Sequence, residues 1–185
     1  NIPGQYFIVA NQKWVRDTGD LGVAGTFMHE LGHTLGLSHG GFDHEGNNNH
    51  VHYKPNYLSI MNYLFQTTGL SGTHELNYSE YTLPDLDETS LSEQAGIDPD
   101  GITAGTGLGT KLTINSDFQW FKEVSPISST SLDFNGWWGI EDNPVSVDLN
   151  KDGKETILTG TEDWSHVIYA SGTIGNDSLL IVTEG

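Results

Sequence analysis

The chain has 185 residues, no cysteine, and 25 acids against 7 lysines and arginines, a formal net charge of −18. That length supports one domain with a real core, or one domain plus a small appendage. The missing thiols exclude disulfides and thiolate chemistry, and the charge argues against a nucleic-acid partner or an anionic membrane surface, since either would repel it.

The acids are unevenly placed. Residues 1–82 hold 7 of them and residues 83–185 hold 18. A solvated acidic face accounts for this, and so does divalent-cation binding. No run approaches the 18 or more apolar residues of a membrane span. The chain starts at Asn1 rather than methionine, so it is expected to begin inside a longer precursor.

QYFIVANQKWV, residues 5–15, reads as a strand rich in aromatic and β-branched residues. LGVAGTFMHELGHTLG follows with helical texture. Leu21, Ala24, Met28, Leu31 and Leu35 recur at steps of three or four, Asp20 stands where an N-cap belongs, and Gly36 suits a left-handed helix end. Residues 40–56 are a Gly-, Asn- and His-rich loop, and residues 57–66 are apolar again. TLPDLDETSLSEQAGI, residues 82–97, reads as a second helix. Beyond residue 100, Gly, Ser, Thr and Asp alternate with short apolar runs such as KLTIN and VSVDL, which predicts small strands and loops.

Three of the 8 histidines fall within MHELGHTLGLSHGG. Residues four apart on a helix share a face, so His29 and His33 can direct two imidazoles at one ion. Glu30 is rotated from His29 by about 100°, which frees it to hydrogen-bond a water held by that ion. Gly36 allows a sharp turn, and His39 returns from outside the helix as a third ligand. Zinc favours such nitrogen ligation, and a catalytic site keeps three protein ligands and one open position. The result is a three-histidine metal cup with a base beside it. HExxH alone is a weak signal, whereas His29-Glu30-x-x-His33-x-x-Gly36-x-x-His39 is far more specific.

At these residues the sequence resembles the metzincin clan of zinc metalloproteases. Ser59-Ile60-Met61-Asn62-Tyr63 puts Met61 22 residues after His39, where the clan's methionine turn belongs. The resemblance spans roughly residues 5–97. It implies an α+β catalytic domain with a zinc helix, a Met-turn at Met61 and a C-terminal helix; the chain departs from the clan in having only 28 residues before His29, so the domain is expected to lack most of its upper sheet. It further implies that Tyr63 binds the metal at rest or donates to the oxyanion during reaction. Under this reading zinc activates water, Glu30 acts as general base, and an extended peptide lies along the edge near residues 5–15.

Asp43, His44, His50, His52 and His74 are candidates for a second metal, though such residues more often satisfy turns. Asp43 is the best placed of them, as an Asx-type brace or as a partner that supports a metal ligand. Asp148-x-Asn150-x-Asp152-Gly153 matches the first half of a calcium loop. Thr159 stands at the twelfth position instead of an acid, leaving Glu155, Glu162 or Asp163 as substitutes. Asp133-Phe134-Asn135-Gly136 looks like a weaker version of the same theme. Trp137-Trp138 suits packing better than a carbohydrate or peptide platform.

The expected organisation is a zinc protease core over residues 1–100 and a β-rich, acidic, calcium-supported region over 101–185. The expected function is a secreted endopeptidase acting on protein or peptide, with a missing N-terminal portion or other chains as partners. The competing expectation is a non-catalytic structural or adhesive extracellular module on the same scaffold.

Overall fold

The computed structural model describes residues 18–113, 121–128, 131–136 and 139–168. The expected strand at 5–15 and the Trp137-Trp138 pair lie outside these residues.

Helix α1 spans Gly19–Thr34. Thr18, not Asp20, is the N-cap residue, and Asp20 sits within the first turn. There its charge complements the positive end of the helix. At the other end Gly36 takes φ +91° as expected, and Leu37 N donates to Gly32 O at 3.0 Å.

The face that α1 buries is not its aliphatic stripe. Leu21 and Ala24 are exposed, while Met28, Leu31 and Leu35 are half-buried. The buried positions are Gly22, Gly25, Thr26, His29 and Gly32. Glycine lets the backbone approach its neighbour closely, and that neighbour is the segment 58–66. A Cβ on Gly25 would strike the Gln66 carbonyl, and one on Gly32 would strike the Met61 sulfur.

Segment 57–66 is the centre of the packing. Tyr57, Leu58, Ile60, Met61 and Phe65 are each 1% exposed or less. Tyr57, Ile60 and Met61 join Leu37, Phe42 and Tyr78 beneath α1. The larger cluster brings Leu58, Leu83 and Ile97 together with Leu112, Ile127 and Leu158, so side chains from both sides of residue 100 share one core.

The second helix, expected over 82–97, does not form. Strand β1 is Leu86–Asp87, and it pairs antiparallel with the strand Ile157–Leu158. Leu91 bridges Val145 in both directions. Between these, β2 (Thr110–Thr113) and β3 (Phe121–Val124) make an antiparallel ribbon, which makes Ile157–Leu158 β4 in chain order.

Local side chains explain why the helix loses. Asp87 Oδ1 accepts from Thr89 N at 3.0 Å, and Ser92 Oγ accepts from Ala95 N at 3.3 Å. Such bonds offer the backbone an alternative to a helical ladder. The two glutamates are also needed elsewhere. Glu88 and Glu93 are fully buried, and each holds a distant loop.

The two loops are the same device twice. Val147 N donates to Glu88 O, Leu149 N to Glu88 Oε1 and Thr156 N to Glu88 Oε2. Leu132 N donates to Glu93 O, Phe134 N to Glu93 Oε1 and Glu141 N to Glu93 Oε2. The intervals match, since 149 − 147 and 134 − 132 are both 2 while 156 − 147 and 141 − 132 are both 9. The kinship of the two Asp-x-Asn segments thus extends to their anchors.

Lys54 is wholly buried, and its Nζ donates to Thr159 O at 2.6 Å. Burial lowers its pKa to about 7, against the opposing pull of Asp85 and Asp163. In the unfolded chain it holds its proton to about pH 10.4. Between those values the unfolded state binds more protons, so stability rises with pH. Lys111, lowered by its own burial, acts in the same direction. Urea unfolding is expected to show about 2 kcal/mol more stability from Lys54 at pH 9 than at pH 7. A flat profile over that range would mean Lys54 is solvated in the folded chain.

Candidate metal centre

Helix α1 supplies the first two imidazoles. His29 is 2% exposed, and its Nδ1 donates to Ile60 O at 2.9 Å. His33 Nδ1 donates to Leu37 O at 3.0 Å. Both bonds fix the tautomer that leaves Nε2 with a free lone pair, as ligand histidines require. His39 returns after the Gly36 turn, and its Nε2 lies 3.0 Å from His33 Nε2. A tetrahedral ion with bonds of 2.0–2.1 Å would hold two ligand nitrogens ~3.3 Å apart, so the spacing fits a metal between them.

One ligand atom from each of His29, His33 and His39 lies within 4.8 Å of the others. Among the described residues this is the one group of three or more His, Asp or Glu side chains so arranged. Three histidines therefore stand close enough to hold a metal ion.

Electrostatics favours the ligand form. Burial lowers the His29 pKa to about 4, opposed by the Ile60 carbonyl and helped by His33. Burial first, and then the charges of His29, His33, His52 and His50, lower His39 to about 3. Both rings are neutral at pH 7, the state in which an imidazole ligates.

The imidazoles open into a cavity of about 600 Å³, lined also by Glu30, Tyr53, Tyr63, Gln66 and Thr67. Glu30 is half-buried on α1, beside the cradle. The Tyr63 ring lies 4.5 Å from that of His39 and 5.5 Å from that of His29. Its phenol pKa is raised by burial and by Tyr53 and Glu30. The phenol therefore keeps its proton and can donate it in a hydrogen bond.

Met61 is fully buried beneath α1, with its sulfur against Gly32. Asp163 locks this turn in place. It is fully buried and accepts from Ser59 Oγ at 2.5 Å, Tyr57 Oη at 2.6 Å and Ser79 N at 2.8 Å. Sequence reasoning missed this role, because the partners are about a hundred residues apart in the chain. It also missed Tyr53, Gln66 and Thr67, which carry no motif.

The remaining candidates sort by what they touch. Asp43 is the turn brace expected of it, accepting from Asn47 N at 2.7 Å and Glu45 N at 3.0 Å. His44 pairs with Asp85 at 2.8 Å, and His74 Nδ1 donates to Thr68 O at 3.2 Å. Of the loop histidines, His52 has its ring 5.0 Å from that of His39, and His50 acts on His39 through its charge. Asp148 accepts from Gly153 N at 2.9 Å, and Asn150 Oδ1 and Asp148 Oδ1 both accept from Asp152 N at 3.2 Å. The suggested substitutes for a twelfth ligand are engaged elsewhere. Glu155 accepts from Ser146, Glu162 from Ser165, and Asp163 from the methionine turn.

No family model matches the chain, and no solved structure matches it.

Proposed function

We propose that the chain is a zinc-dependent endopeptidase of metzincin type that acts outside the cell on protein or peptide. The observation that supports this most is the convergence of His29, His33 and His39, with Glu30 and Tyr63 lining the same cavity. His29, His33 and His39 would hold the ion. Bound there, zinc would supply Lewis acidity, acidifying a water and polarising a carbonyl. Glu30 takes the attacking water's proton and passes it to the leaving amine. Tyr63, protonated at neutral pH, donates to the oxyanion as charge develops on the carbonyl oxygen. A purely structural metal site has no need of a carboxylate beside it, and this favours the enzyme over an inert module.

Calcium at Asp148, Asn150 and Asp152 belongs to the same reading, supported by the residue pattern and by φ +84° at Gly153. One experiment addresses both ions. Chelated protein is expected to lose casein cleavage, zinc alone to restore it, and calcium alone to raise the melting temperature. No cleavage with stoichiometric zinc bound would remove the protease reading. An unchanged melt in millimolar calcium would remove the calcium loop.

A further inference from the structure

The stretch between the third imidazole and the methionine turn is anchored at both ends. Asn49 Oδ1 accepts from Val51 N at 2.8 Å, and Asn49 Nδ2 donates to Thr159 Oγ1 at 2.9 Å. Lys54 Nζ reaches the same threonine through its carbonyl. Gly40 packs so closely on the stretch that a Cβ there would lie 2.9 Å from Val51 N. Between these anchors Tyr53 takes φ +58°, a costly conformation for an aromatic residue. The backbone is thereby fixed with the His52 ring turned onto Tyr63. The centroids are 5.0 Å apart and the planes 16° from parallel.

Tyr63 sits among four rings, with centroids at 4.5 Å for His39, 5.0 Å for His52, 5.5 Å for His29 and 5.8 Å for Tyr53. It is 38% exposed, and no described residue hydrogen-bonds its hydroxyl. Its ring meets His29 at 17°, His39 at 35° and Tyr53 at 48°. Of the two near-parallel neighbours, His29 belongs to the cradle and His52 does not. His52 Nδ1 is buried without a hydrogen-bond partner, so no bond at that nitrogen explains where the ring sits. The ring lies against Tyr63, His39 and Tyr53, and of these only Tyr63 is near-parallel to it.

We infer that His52 is a positioning residue whose ring, stacked on Tyr63, holds the phenol over the three-imidazole cradle and acts on the reaction only through Tyr63. This rests on the reading that Tyr63 serves the site. The test begins with metal-free full chain carrying ¹³C-labelled tyrosine, in which Tyr63→Phe identifies the Tyr63 ring signal. Stacking shields that signal in the native chain. His52→Ala is expected to move it towards its free position, and His52→Phe to leave it near the native one. If His52→Ala does not fold, His52→Leu replaces it, filling volume without a planar ring.

In the zinc-loaded protein, His52→Ala is expected to lower kcat roughly 3- to 10-fold with KM unchanged, the weight of one stacked pair. His52→Phe restores kcat. In a Tyr63→Phe background, His52→Ala costs nothing further. A Tyr63 signal indifferent to position 52 overturns the inference. So does a His52→Ala loss that persists in full without the Tyr63 hydroxyl. Should Tyr63→Phe leave kcat untouched while the signal still follows position 52, the stack stands and the catalytic reading of Tyr63 fails instead.

Discussion

Glu30→Gln is expected to lower kcat/KM for peptide hydrolysis by about 10² to 10⁴, the usual worth of a positioned general base. Zinc stoichiometry should not change. The amide has nearly the volume of the carboxylate, and all three imidazoles stay in place, two of them fixed through Nδ1 to Ile60 O and Leu37 O. The separation of turnover from metal content is what makes the substitution informative. Loss of zinc along with activity would make Glu30 a structural neighbour of the cradle. Retained activity with zinc bound would move the base to another group. Fluorogenic peptide cleavage, with metal analysis on the same fractions, reads both quantities.

The legible parts of this site are those fixed by local geometry. His29 and His33 share a helix face by spacing alone, and Gly36 adopts the positive φ that returns His39 to them. The opaque parts depend on the rest of the chain. Glycine contributes nothing to an apolar pattern, so the stripe from Leu21 to Leu35, of which Met28, Leu31 and Leu35 are half-buried, did not mark Gly22, Gly25, His29 and Gly32 as the positions α1 buries most. Segment 82–97 carries helical spacing, but Glu88 and Glu93 are drawn off to the loops at 147–156 and 132–141, and those bonds have no local signature. Asp163 reads as a substitute for the twelfth ligand of the calcium pattern, yet it sits under the methionine turn with three donors around it. His52 reads as one more loop histidine until the anchors at Asn49 and Lys54 turn its ring inward.

Gly25→Ala is expected to damage the protein more than its chemistry suggests, because two opposed effects meet at one methyl group. Alanine favours a helix interior over glycine by about 1 kcal/mol, so on an exposed turn the change would stabilise. Here the new Cβ meets the carbonyl oxygen of Gln66, and the Ile60 Cδ1 lies 3.3 Å away. A side chain could swing aside, but a backbone carbonyl in the turn that packs beneath α1 cannot. Overpacking of this kind costs roughly 1–3 kcal/mol or more, and a contact with rigid backbone belongs at the upper end. The net expectation is a loss of about 2 kcal/mol in urea unfolding. An effect on metal binding of comparable size should accompany it. Any shift of α1 away from segment 58–66 lengthens the His29 Nδ1 to Ile60 O bond, which orients the most buried imidazole. Because second-shell bonds of this kind govern ligand orientation, zinc affinity should fall by about 10- to 100-fold. A variant that melts higher and binds zinc as before would show that α1 does not approach the turn this closely. The glycine face would then reflect tolerance rather than fit.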